Sequence, residues 1–235
     1  LLEVNGLQAS YDQLQVLWDV SLSVKEGEFV ALIGSNGAGK TTTLRAISGV
    51  LKLKAGQVSF LGKPVTNLSP HLVCQRGISF ITEELNLFEG MTVQENLLLG
   101  AYNCKDGKKI KALQTEVFDL FPILSERQSQ LAGTLSGGER RMLAVARGLM
   151  SEPRLLMVDE PSLGLAPKVV LSVFNALKAL HERGVTLLLV EQNVHNTLQI
   201  ADKAYVLEQG SIILQGASAD LLQNEYLRET YLGKR

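Results

Sequence analysis

An α/β fold with a parallel-sheet core is what this 235-residue chain predicts, on three stretches of its sequence. The first is Phe29–Ile33, a short apolar run of the kind a buried parallel strand shows. It leads into a glycine-rich loop, Gly34–Thr41, and then into a helical stretch over Thr42–Ser48 that Gly49 is placed to end. The second is Leu155-Leu156-Met157-Val158, which delivers Asp159 and Glu160 to a strand end, the edge where ligands bind in open α/β sheets. The third is the stripe Val170, Val173, Phe174, Leu177 and Leu180 on a helix over Val169–His181, closed by Gly184 before the apolar strand Val185–Val190. Strand, helix and strand in this alternation call for a parallel sheet with right-handed crossovers.

The other elements follow along the chain. Residues 1 to about 29 read as short strands, with Val20–Val24 alternating and Leu1-Leu2-Glu3-Val4 patterned as a strand rather than a signal peptide. Val58–Leu61 is a strand, Gly62-Lys63-Pro64 a turn, and Ile78–Ile81 another strand. Thr92-Val93-Gln94-Glu95 fits a capping box that starts a helix through Leu99. Lys108–Phe121 is a helix that Pro122 ends, and Arg140–Met150 one that stops near Pro153. Ala204–Leu207 and Ile212–Leu214 flank Gln209-Gly210 as a hairpin, and the tail from Ser218 is helical. Residues 1–235 are expected to form a single domain, with a helix-rich part at about 84–150.

Composition bounds the function. Hydrophobic residues at 46% support a sizeable core, and a formal net charge of −1 lacks the basic face of a nucleic-acid binder. Cys74 and Cys104 have no paired spacing, which argues against a disulfide framework or a zinc site. No apolar run is long enough to span a bilayer, so service at a membrane would require docking on partners.

Gly34-Ser35-Asn36-Gly37-Ala38-Gly39-Lys40-Thr41 fits G-x-x-x-x-G-K-[ST], the phosphate-binding loop, in the strand–loop–helix setting that motif needs. Its backbone N–H groups, with Thr42 opening the helix, would cradle phosphates; Lys40 would reach the β- and γ-phosphates and the Thr41 hydroxyl would ligate Mg²⁺. Leu135-Ser136-Gly137-Gly138-Glu139 opens a helix and also fits a capping box, but capping does not ask for consecutive glycines. Glycines there let a phosphate approach the bare N–H groups of a helix end.

With these motifs and the acidic pair in this order, the chain resembles the ATP-binding cassette (ABC) proteins, specifically the nucleotide-binding subunits of transporters, over essentially its whole length. Pro161-Ser162-Leu163-Gly164-Leu165-Ala166-Pro167 and Leu189-Val190-Glu191-Gln192-Asn193 resemble most the F-type ATPase subunit of branched-chain, or hydrophobic, amino acid importers. The resemblance implies a P-loop NTPase parallel core with an antiparallel β subdomain and a helical subdomain facing membrane subunits. It implies ATP and Mg²⁺ as cofactors, Asp159 and Glu83 beside Thr41 at the metal, and Glu160 as the base that polarises the attacking water. Tyr11 is the expected adenine platform, and the absence of the N-K-x-D guanine reader favours ATP. Ser136, Gly137, Gly138 and Glu139 are expected to close on the nucleotide of a facing ATPase subunit, in a homodimer or a heterodimer with a G-type subunit. The resemblance also implies permease subunits as direct partners, a periplasmic binding protein as an indirect one, and a location at the cytoplasmic face of the membrane.

Two positions depart from the family pattern. Glu83, followed by Glu84-Leu85-Asn86, stands where most cassettes place a Gln, and Gln192 stands where most place a His that touches the γ-phosphate. Gln can hydrogen-bond an oxygen but carries no charge. His195 reads as a surface residue, as do His71 and His181. The competing readings are a lipid or lipopolysaccharide exporter ATPase, a soluble non-transport cassette ATPase, and a subunit that binds nucleotide without turnover.

Overall fold

A computed structural model describes residues 1–231. Its strands are β1 (Leu2–Tyr11), β2 (Leu14–Val24), β3 (Phe29–Ile33), β4 (Ala55–Phe60), β5 (Lys63–Pro64), β6 (Ile78–Ile81), β7 (Leu155–Asp159), β8 (Leu187–Glu191), β9 (Lys203–Glu208) and β10 (Ser211–Ala217). They lie side by side in the order β5-β4-β1-β2-β10-β9-β3-β8-β7-β6. The half from β9 to β6 is parallel, and β5, β4, β1 and β2 form an antiparallel wing. β10 folds back antiparallel on β9 and meets β2 at Ser211↔Asp19, which joins the halves.

The parallel strands read as unbroken apolar runs because both their faces are covered. Phe29, Ala31 and Ile33 point into one core layer with Leu156, Val158, Leu187 and Leu189. Val30 and Leu32 point into the opposite layer with Leu155, Met157, Leu188 and Val190. The first layer is closed by helices Gly137–Leu149 and Pro167–Glu182, the second by helix Lys40–Ile47 and the wing strands. The stripe Val170, Val173, Phe174, Leu177 and Leu180 is the buried face of its helix.

The structure moves several expected boundaries. The first two strands run the full length of residues 2–24 as one long hairpin rather than as short pieces. The helix expected from Arg140 begins at Gly137, because Ser136 is its N-cap, so Gly137 and Gly138 lie in its first turn. Pro122 ends one helix, Gly107–Leu120, but also opens another, Pro122–Glu126, since proline at a first helical position lacks only an N–H that would have no partner there. Helices fill the stretch between β6 and β7, and the tail is helical over Ser218–Leu221 and Glu225–Thr230. The last residues of the expected helical tail, 232–235, lie outside the described residues. No helix among the described residues is long and apolar enough to cross a membrane.

Candidate active site

Four adjacent parallel strands, β3, β8, β7 and β6, deliver the site at their C-terminal edge. β3 ends at Ile33 and the chain turns at Gly34, where a Cβ would sit 2.2 Å from the carbonyl oxygen of Leu207 on β9. Only glycine lets the loop pass so close to that backbone. The loop then enters helix Lys40–Ile47, whose N-cap, Gly39, provides no side-chain acceptor, so leading N–H groups stay available for an anion. Lys40 is 4% exposed. Its Nζ donates to the carbonyls of Gly34 (3.0 Å) and Ser35 (3.1 Å) and pairs with Glu160 Oε1 at 3.0 Å. An ammonium has three N–H donors, and all three are used. A phosphate arriving at Lys40 must take the place of one of these partners, and Glu160 is the one whose release leaves a carboxylate facing the cavity.

Beside this pair, Thr41 Oγ1 donates to Asp159 Oδ1 at 3.0 Å. The other carboxylate oxygen, Asp159 Oδ2, is buried with no hydrogen-bond partner. Burial pushes the Asp159 carboxyl up to about 6; the Thr41 hydrogen bond opposes this, and the nearby Glu160 and Glu83 add to it. A hydroxyl and an orphaned carboxylate oxygen at the foot of a phosphate loop are hard donors that fit Mg²⁺, which takes few protein ligands and completes its shell with water and phosphate.

Glu160 starts a tight turn with φ +42°, a left-handed conformation that costs a residue with a side chain on the order of 1 kcal/mol or more. The turn is held from several sides. Glu160 N donates to Val190 O at 2.9 Å and Leu163 N to Glu160 O at 3.2 Å. Buried Arg141, from the helix that Ser136 opens, donates to Glu160 O (3.1 Å) and Leu163 O (2.6 Å), and desolvation lowers its pKa. Glu191, at the end of β8, accepts from the Ser162 N–H and hydroxyl, each at 2.9 Å. Burial raises the Glu191 pKa, against the pull of its Ser162 and Asn193 hydrogen bonds.

A cavity of about 440 Å³ collects most of the expected phosphate residues: Asn36, Gly37, Gly39, Lys40, Thr41 and Thr42 line it. Glu83 and Glu160 line the same cavity. Gly34 and Ser35 contribute carbonyls to Lys40, and Ala38 is buried in the core beneath. Tyr11 does not line this cavity; it is 40% exposed on the hairpin and accepts from Arg45 at 3.4 Å, while Val16 supplies the wing's contact. Gln192 is also outside it, exposed on a neighbouring cavity of about 500 Å³ that it shares with Ser35. Ser136, Gly137, Gly138 and Glu139 line neither. His195 and His71 are exposed, bonded to Gln199 and Ser69. His181 departs from its surface reading: it stands 3.3 Å from Asp202 and edge-on to Phe29, at a helix end where a ring fits over the core.

Sequence reasoning missed Val16, Arg141 and Glu191. Arg141 carries no signal as one of two consecutive arginines until the helical phase turns it inward. Glu191 had a signal that went unused: it ends an apolar run just as Asp159 does.

Comparison with known proteins fits this geometry. The family model described as "ABC transporter" matches residues 17–163. A high-affinity branched-chain amino acid transport ATP-binding protein, BraG of Pseudomonas aeruginosa, is 42% identical over 99% of this chain and 100% of its own length. A probable branched-chain amino acid transport ATP-binding protein, LivF of Archaeoglobus fulgidus, is 38% identical over 99% of both. A lipopolysaccharide export system ATP-binding protein, LptB of Escherichia coli, is 33% identical over 99% of this chain and 97% of its own. The crystal structure of the ADP conformation of MJ1267, an ATP-binding cassette of an ABC transporter, superposes with a TM-score of 0.85 at 29% identity, covering 99% of this chain and 98% of that one.

Proposed function

The chain belongs to the ABC transporter family of ATP-binding proteins, and from that premise we propose that it powers an importer of branched-chain or other neutral amino acids. It is an ATPase with the ABC cassette fold. The end-to-end 42% match to a branched-chain amino acid transport protein carries the importer reading. Pro161–Pro167 and Leu189–Asn193 support it and the reading of the chain as an F-type subunit.

Phosphoanhydride hydrolysis asks for phosphate positioning, charge neutralisation and an oriented water. The Gly34–Thr42 backbone and Lys40 bind and orient the phosphates. Thr41 and Asp159, with Glu83 across the cavity, would hold Mg²⁺, which would neutralise phosphate charge. Phosphate taking over Lys40 releases Glu160, which then holds the attacking water and receives its proton at a carboxylate oxygen. Gln192 donates its amide N–H to the phosphate from the Ser35 side, and Tyr11 stacks under adenine. Ser136–Glu139 close on the nucleotide of a second ATPase subunit, and Ser162–Leu165 lie at that interface.

The whole chain acts as one cassette domain at the cytoplasmic face of the membrane, with its helical part at about 84–150 turned to the permease. A groove of about 450 Å³ between the 82–88 loop and the helices is the seat for a permease segment. Phe88, Leu99 and Tyr102 expose apolar surface around it, and Arg147 fixes its floor by donating to Leu85 O (2.8 Å) and Asn86 O (2.7 Å).

The test is ATP turnover by the chain assembled with its permease in proteoliposomes. Turnover should rise when a leucine-loaded binding protein is added on the outside. A rise with lipopolysaccharide and none with the loaded binding protein would move the chain to the exporters.

A further inference from the structure

Glu191 is 1% exposed, and four donors converge on it. Oε1 accepts from Ser162 N at 2.9 Å. Oε2 accepts from Ser162 Oγ at 2.9 Å, Gln192 N at 3.1 Å and Asn193 N at 3.2 Å. Burying a carboxylate is costly, and several donors are needed to offset it. A strand end alone does not call for that arrangement: of the two strands beside β8, β3 ends in apolar Ile33, and β7 ends in Asp159, which leaves one carboxylate oxygen without a hydrogen-bond partner. What Glu191 adds is a bond between two loops. One is the strained turn that begins at Glu160, clamped on its other side by Arg141. The other begins at Gln192.

We propose that Glu191 is a positioning residue for hydrolysis: its carboxylate locks the Glu160 turn to the Gln192 segment, so that both side chains meet the γ-phosphate in a fixed relation. This rests on the roles given to Glu160 and Gln192 above. It extends them, because Ser162 lies on the loop assigned to the second subunit. A displacement of that loop as the subunits close is carried through one carboxylate to both reacting-side loops.

The experiment is single-turnover hydrolysis by the full chain in Mg-ATP, with ATP affinity and thermal melting measured on the same samples. Glu191→Gln keeps the shape but turns one acceptor oxygen into a donor aimed at N–H groups. Turnover should fall about tenfold, the effect of losing hydrogen bonds to a charged group, with ATP affinity within about twofold of wild type. Gln192→Ala should lower turnover in the wild-type background and add nothing in the Glu191→Gln background. A residue that merely stabilises the fold would give independent losses that multiply. If Glu191→Gln melts at the assay temperature, Ser162→Ala decides, since it removes one hydroxyl and leaves the acid. About threefold slower turnover at unchanged affinity supports the proposal, and full turnover overturns it. Glu160→Gln separates the two layers of the argument. If it is inactive while a folded Glu191→Gln turns over at the wild-type rate, the positioning role is wrong and the site assignment stands. If Glu160→Gln itself turns over normally, the site assignment falls and this proposal with it.

Discussion

The phosphate loop and the Ser136–Glu139 turn are both glycine-bearing starts of helices, yet they are finished in opposite ways. Gly39 leaves its helix uncapped, and Lys40 and Thr41 are paired with Glu160 and Asp159, the acids just past and at the end of β7. Ser136 caps its own helix: its hydroxyl accepts from Glu139 N at 3.4 Å, and Glu139 Oε2 accepts from Ser136 N at 2.8 Å. Glu139 is further tied to Arg127 at 2.9 Å. The first helix start has open donors, a cavity and charges waiting to be re-paired. The second has its Ser136 and Glu139 N–H groups satisfied by the capping box and lines none of the cavities described above. Its glycines therefore need separate explanations. A Cβ on Gly138 would lie 2.3 Å from Val169 Cγ1, so tight helix packing accounts for that one. A Cβ on Gly137 would lie 3.3 Å from Leu165 Cδ2, a contact a side chain can absorb. Packing therefore does not account for the glycine at 137, which is exposed.

The strongest way to break this contrast is at the phosphate loop. Glu160→Gln keeps the shape of the side chain and removes the carboxylate proposed as the base, so hydrolysis should drop by roughly 10²- to 10⁴-fold. Bound ATP should then persist, and sizing in Mg-ATP, with a companion subunit added where one is required, should show a larger species than wild type. Lys40→Ala should weaken Mg-ATP binding by on the order of a hundredfold, because charge-assisted bonds to phosphate are lost. Isothermal titration showing unchanged affinity would remove the phosphate loop from the argument.

Asp159 sharpens the comparison through pH. Its folded value of about 6 lies above the unfolded 3.8, so the folded state holds the extra proton between those limits. Stability from this residue is therefore highest at low pH and falls as pH rises through about 4 to 6, by up to about 3 kcal/mol. Denaturant melts in EDTA should show this slope in wild type and lose it in Asp159→Asn. Adding Mg²⁺ should reverse the preference, since the cation takes the deprotonated carboxylate, and its stabilisation should fade below about pH 6.

Smaller effects separate the two glycines. Gly138→Ala should lower stability by about 1–3 kcal/mol, because Val169 must shift. Gly137→Ala should leave the melting temperature nearly unchanged and weaken ATP-driven association. Equal losses of stability in the two variants would erase the distinction.

The parallel core and the candidate site at its edge were legible where one signal fixed both local structure and position. Phe29–Thr41 is such a case: the apolar run forces a buried strand, and the loop can lie only at its end. Leu155–Glu160 is another. The wing was less legible, because alternation marks strands but not their length, and β1 and β2 became one long hairpin. Roles that depend on tertiary contact left no local trace. Arg141 lies next to Arg140 with no difference in sequence, yet one is buried on the Glu160 turn and the other faces outward to Glu89. Ser136-x-x-Glu139 was ambiguous for the opposite reason, since one pattern meets two needs, and only the glycine environments separate them.

The finest test concerns Gln192, which lies across Ser35 from the Lys40 cavity. An amide in place of the usual imidazole can donate to a phosphate oxygen but adds no charge, and charged donors are about twice as strong. A site built on Lys40, Glu160 and Gln192 should therefore be the slower one in a transporter whose companion subunit carries a His. The measurement is single-turnover hydrolysis in the assembled complex with the companion's own base replaced, so that only this chain's site reports. Gln192→Ala should lower the rate by a few-fold, about one neutral hydrogen bond, because Glu160 remains in place. Gln192→His should leave the rate unchanged or raise it. A Gln192→Ala site as inactive as Glu160→Gln would make the amide essential in its own right and remove the reason for unequal sites. An unmodified site turning over as fast as the companion's would contradict the idea directly, because the weaker donor would then carry no penalty where charge develops.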